Sequence, residues 1–141
     1  MVEHPLTLTR TLPADRDRVW HAWTTVEGLS TWWWSHLPGT TYDVDRRVGG
    51  AYRIEAVGAG FGVAGEVLEV EEPGRLVVSW TWLDDGVPGD VERVELAFTS
   101  VPDGTRLDLR HSGPWTTPQP GEDYRTGWTQ TLDSLTASLD R

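Results

Sequence analysis

Hydrophobic residues along this chain change their period twice. In "PLTLTRTL", Leu6, Leu8 and Leu12 alternate with polar partners, which is the pattern of a half-buried strand, and Pro13 ends it. From Ala14 the spacing shifts. Val19, Trp20, Trp23 and Val26 recur at intervals of three and four, two aspartates stand where the first turn of a helix favours them, and Gly28 predicts a break into two short helices. After "LPG" the period returns to two. "TTYDVDRRVGGAYRIEAVG", "FGVAGEVLEVEEPG", "RLVVSWTWLDDG", "VERVELAFTSVPDG" and "TRLDLRHSG" read as five or six consecutive antiparallel strands divided by Gly, Pro and Asp turns. "PWTTPQPGED" reads as a loop. The last helix, over residues 121–139, carries Tyr124, Trp128, Leu132, Leu135 and Leu139 on one stripe.

This order predicts an α+β fold in one domain spanning 1–141. A long antiparallel meander needs cover for its apolar face, and only the C-terminal helix is long enough to supply it, so the sheet must wrap around that helix. Parity assigns the inner face: Tyr52, Ile54 and Ala56; Leu76, Val78, Trp80 and Trp82; Val94, Leu96 and Phe98; Leu107, Leu109 and His111. One helix fills such a curve incompletely. A pocket is therefore expected between its N-terminal half and the two short helices. "STWWWSHLPG" bears on that pocket, because three successive residues on a helix fan across about 200° and cannot share one core. At least one of Trp32, Trp33 and Trp34 must look elsewhere.

Composition narrows the function classes. The chain has 141 residues, 12 basic and 22 acidic side chains, and a formal net charge of −10, with every cation an arginine. That balance repels phosphate backbones and anionic lipid, which argues against nucleic-acid and membrane partners. Cysteine is absent, so no disulfide framework, thiolate metal site or cysteine nucleophile exists. No apolar run approaches the length of a membrane span, and the N-terminus lacks the layout of a secretory signal, which makes cytoplasmic the expected location.

Candidate chemistry is sparse. His111 sits inward at a strand end, where it could act as an acid or base or simply be satisfied by a backbone carbonyl. His36 stands beside the tryptophan run at the expected pocket mouth, whereas His4 and His21 read as solvent-facing. Four histidines this scattered make no metal site, and no cofactor is expected. "DRRVGG" reads as a structural turn pinned by Asp45 with Arg46 or Arg47, and "GAGFG" as a hairpin turn, since strand and not helix follows it. Nine tryptophans are the distinctive feature. Trp80, Trp82, Tyr124 and Trp128 converge on the expected pocket, and Gly127 would bring the helix close to the sheet or leave room for a ligand.

"RVWHAWTTVEGLSTWW", "DVDRRVGGAYRI", "EVLEVEEPGRLVVSWTW", "GTRLDLRHSG" and "GWTQTLDSL", in that order, resemble the activator of heat-shock-protein-90 ATPase homologue-like branch of the START-like, SRPBCC superfamily. The resemblance implies a helix-grip fold of the birch pollen allergen-like kind, β-α-α-β6-α, around a hydrophobic cavity. It also sets Trp34 apart, because that branch often follows its two tryptophans with glycine. Three function classes stay open. The first is binding of a hydrophobic, aromatic small molecule, with Trp34, His36, Tyr52, Ile54, Trp80, Trp82, Phe98, Leu109, His111, Tyr124 and Trp128 as candidate ligand-binding residues. The second is a cyclase- or hydrolase-type enzyme using His111 with Tyr52 or Tyr124. The third is an interaction protein in contact with a chaperone, and a homodimer is allowed by all three.

Overall fold

Leu6–Leu12 forms strand β1, followed by helices α1 (Arg16–Thr24) and α2 (Val26–Leu29) in a computed structural model that describes residues 4–140. Strands β2 (Thr40–Val44), β3 (Ala51–Ala56), β4 (Phe61–Glu71), β5 (Arg75–Asp84), β6 (Val87–Val101) and β7 (Gly104–Ser112) come next, and α3 (Gln119–Leu139) closes the chain. All seven strands join one antiparallel sheet in the order β1-β7-β6-β5-β4-β3-β2. Consecutive hairpins link β2 to β7, so each strand of the meander meets its sequence neighbour. Only β1 crosses over, to pair with β7 from Leu6↔His111 to Leu12↔Thr105. This is the expected helix-grip order.

The curved sheet closes on α3 because one stripe of that helix is apolar. Trp128, Leu132, Leu135 and Leu139 are buried, and they share one core cluster with Ile54, Val78, Trp80, Leu96, Phe98 and Leu107 from the inner strand faces. Burying each leucine contributes roughly 1.5–3 kcal/mol, which offsets the entropy of ordering the long helix against the sheet. Helix α3 begins at Gln119, two residues before the expected start and inside the expected loop. Pro118 and Pro120 explain the difference, since proline fits the first turn, where no N–H partner is needed.

Two other boundaries shift for local reasons. The break between α1 and α2 falls at Thr25, whose side chain caps Gly28 N–H, and not at Gly28. Gly28 lies inside α2 where a Cβ would come within 2.3 Å of the His21 carbonyl oxygen, so glycine is there to let the two helices touch. Strand β6 begins at Val87, before the expected run, because its exposed first residues continue the ladder to β5 past a register shift between Thr81 and Leu83. In "DRRVGG", Arg47 is the arginine that pairs with Asp45, at 2.8 Å, while Gly49 takes a φ of +85°. "GAGFG" is the β3–β4 turn. No helix is long and apolar enough to cross a membrane among the described residues.

Candidate functional site

The site begins where α2 runs out. After Leu29 the chain turns instead of continuing as a helix, with Trp32 and Trp33 N–H both donating to the Leu29 carbonyl. Trp32 is locked inward: its indole N–H donates to the Ala22 carbonyl at 2.9 Å, and its ring meets Trp23 at 4.7 Å between centroids. Trp33 packs on Trp80 at 5.9 Å and on Trp128 at 5.5 Å. Trp34 then adopts φ +51°, a left-handed conformation that swings its ring away onto Phe61 and Trp82. Its different facing therefore comes from that backbone turn and not from a helical fan. A left-handed backbone is one that glycine adopts without strain, in keeping with the glycine that the resemblance leads one to expect here.

These rings wall a cavity of about 420 Å³ that is partly open to solvent. Trp32, Trp33, Trp34, Trp80, Trp82 and Trp128 line it with Phe61 and Tyr124, and His36, Gln130, Thr131 and Ser134 add polar atoms. Trp34 stands at 80° to Phe61 and 90° to Trp82, so the rings near His36 form a corner. Along α3 the wall is cut low at Gly127, where a Cβ would meet nothing within 4 Å. Gly127 thus leaves room and does not draw the helix onto the sheet.

Behind the wall lies a polar cluster centred on His111, which is fully buried. The Trp128 indole N–H donates to His111 Nδ1 at 3.1 Å. An indole nitrogen can only donate, so Nδ1 is unprotonated and Nε2 carries the ring proton, which it donates to Glu92 Oε1 at 2.8 Å. Trp115 N–H reaches the other Glu92 oxygen at 3.4 Å, and the same carboxylate's charge bears on the Tyr124 phenol. Burial lowers the His111 pKa below that of a free imidazole, against an opposing hydrogen bond and charge from Glu92. The neutral ring is the favoured form, because protonation would also cost the bond from Trp128. Burial raises the Tyr124 phenol, and the charge of the neighbouring Glu92 carboxylate raises it further. The Trp80 N–H beside the phenol opposes that shift without reaching hydrogen-bond geometry.

Of the candidate residues, Trp34, His36, Trp80, Trp82, Tyr124 and Trp128 line the cavity. The other five lie off its wall. Tyr52 is buried under α1, its phenol donating to the Trp23 carbonyl at 2.7 Å, and burial pushes that phenol far above its usual range. Ile54 is sealed in the core, Phe98 packs edge-on against Trp20 at 5.7 Å, and Leu109 is covered on β7. Period two identifies an inner face but not which part of that face a helix covers. His111 is set behind Tyr124 and Trp128 with both nitrogens engaged, by the Glu92 carboxylate and the Trp128 indole and not by the backbone carbonyl expected as the alternative to an acid or base role.

Glu92 is the functional-looking residue that the reading of the sequence missed. Its signal was present, because it shares parity with Val94, Leu96 and Phe98 and pairs with Trp80 in the ladder. Gly127, Gln130, Thr131 and Ser134 were equally legible as a small, polar stripe at helical spacing beside the apolar one. Among the described residues no group of three or more His, Asp or Glu side chains is placed to hold a metal ion.

A model of the family "Activator of Hsp90 ATPase homolog 1-like protein" matches residues 13–140. Among curated proteins none matches. Solved structures do. DynU16, a protein in the dynemicin biosynthetic locus, superposes with a TM-score of 0.83 at 24% identity, covering 98% of this chain but only 48% of DynU16. CalU16 from Micromonospora echinospora gives 0.73 at 26% identity, covering 96% of this chain and 75% of that one. The AHSA1 protein SPO3351 from Silicibacter pomeroyi gives 0.76 at 25% identity, covering 96% and 97% respectively.

Proposed function

We propose that this chain, which belongs to the activator of Hsp90 ATPase homolog 1-like family, binds an apolar, aromatic small molecule in its tryptophan-walled cavity. Family membership alone does not carry this, since one fold serves many functions. The observation that carries it is the wall itself. Six indoles, a phenylalanine and a tyrosine surround about 420 Å³ of space, within the roughly 300–1,000 Å³ of small-molecule sites. A few polar groups on α3 and His36 supply orientation. Acid–base catalysis is the weaker reading. His111 would have to break two hydrogen bonds to act, and Tyr124 holds its proton more tightly than a free phenol does.

The test is a fluorescence titration with N-phenylnaphthylamine, a neutral apolar probe. Saturable binding is expected, and Trp82→Ala at the cavity wall should weaken it by about 1–3 kcal/mol, or roughly tenfold to over a hundredfold. Absence of saturable binding, together with a change in a chaperone's ATPase rate on adding the chain, would overturn this reading in favour of an interaction protein.

A further inference from the structure

The shape and charge of the cavity say what kind of group it suits. A flat polycyclic molecule is best gripped between two parallel rings with a ring's thickness free between them. The wall offers no such slot among the described ring pairs. Phe61 and Trp82 are the near-parallel pair, at 16°, but their centroids are 5.5 Å apart, so they fill each other's space. Trp34 meets both at about a right angle, and Trp33, Trp80 and Trp128 stand at 33° to 69° to one another. Rings tilted against one another make a box, which admits an aromatic edge and encloses a compact, rounded group on more sides than a flat one.

Electrostatics selects the sign of that group. No arginine, aspartate or glutamate lines the cavity, so no fixed charge on the wall repels a bound cation or neutralises it. Behind the wall stands Glu92, with 11% of its side chain exposed, hydrogen-bonded by His111 and Trp115 and close enough for its charge to bear on the wall residue Tyr124. Both donors are neutral, so the carboxylate's charge is solvated but not cancelled. Indole rings attract cations through their negative faces, most strongly where water is excluded. A net charge of −10 raises the local concentration of cations around the whole molecule.

We infer that the cavity takes a ligand bearing a compact ammonium group, an alkylated or protonated amine on an apolar skeleton, boxed by the indoles with Glu92 behind them. This rests on the small-molecule reading above and adds the ligand's charge to it. An isosteric pair isolates that charge: para-hydroxyphenyltrimethylammonium and para-tert-butylphenol differ only in nitrogen for carbon at the quaternary centre. Calorimetric titration of the full chain should show the ammonium compound binding about tenfold tighter or more. Equal affinity, or tighter binding of the neutral phenol, overturns the ammonium assignment and leaves the apolar site standing. No binding of either compound or of N-phenylnaphthylamine overturns both. Glu92→Gln should reduce the preference several-fold while para-tert-butylphenol keeps its affinity, and an unchanged preference removes Glu92 from the proposal. If circular dichroism shows that variant unfolded, Trp82→Leu carries the same test at the wall: the preference should again shrink, and its survival counts against the box.

Discussion

Trp34 holds a left-handed backbone that costs an L-residue about 1–2 kcal/mol, and its half-buried ring recovers part of that cost against Phe61 and Trp82. Trp34→Gly relieves the strain as it removes the ring, so thermal denaturation should show a nearly unchanged midpoint, while N-phenylnaphthylamine binding weakens. Trp32→Ala and Trp33→Ala remove sealed rings at unstrained positions and should lose about 3–5 kcal/mol. A Trp34 variant as unstable as these would show that its ring holds the core together as theirs do, against the contact role assigned to it. His111 makes a prediction of a different kind. In the unfolded chain it gains a proton as pH falls through about 6.5, whereas burial delays that uptake in the folded protein. The unfolded state therefore binds more protons below that pH, and stability falls as pH drops through and beneath it. His111→Gln should flatten this part of the pH–stability curve. Parallel wild-type and variant curves would mean that His111 does not carry the effect.

At the scale of elements, α3 does two jobs on adjacent stripes. Its apolar stripe holds the sheet, and Leu132→Ala or Leu135→Ala should each cost about 2–5 kcal/mol in denaturant titration. Costs near zero at both would mean that the sheet does not depend on the helix. Its small and polar stripe shapes the cavity instead. Gly127→Leu should raise helix stability, since glycine inside a helix is worse than leucine by somewhat under about 1 kcal/mol, yet it should lower N-phenylnaphthylamine affinity by filling open space. Stability and binding moving in opposite directions is the signature expected. Gly28 in α2 responds in the reverse sense. Gly28→Ala should destabilise despite alanine's better propensity, because its Cβ would press into the backbone of α1 at His21 and Ala22. A gain in stability there would show that the helices have slack.

For the whole molecule, the cavity predicts linkage between binding and stability. A ligand specific for the folded state, present at about 100 times its Kd, should add about 2.7 kcal/mol to unfolding, and differential scanning calorimetry with N-phenylnaphthylamine reads this directly as a raised midpoint. The element order was legible because each element obeys a local period: two for the strands from Tyr52 to His111, and three to four for α1 and α3. Inner-face parity was legible for the same reason, and it correctly buried Ile54, Phe98 and Leu109. Parity could not say which inner residues α3 would cover and which would face empty space, since that depends on where a helix more than a hundred residues from β1 comes to rest. The Trp34 turn was hidden because a left-handed φ is imposed by how the chain leaves α2, not by tryptophan itself. The Glu92–His111–Trp128 cluster joins β6, β7 and α3, three segments that meet only when the sheet curls. Local periodicity thus determined the strands, the helices and the aromatic supply. Tertiary closure alone decided which tryptophans wall a cavity and which nitrogens of His111 are engaged, because both depend on distances between segments that the chain brings together only on folding.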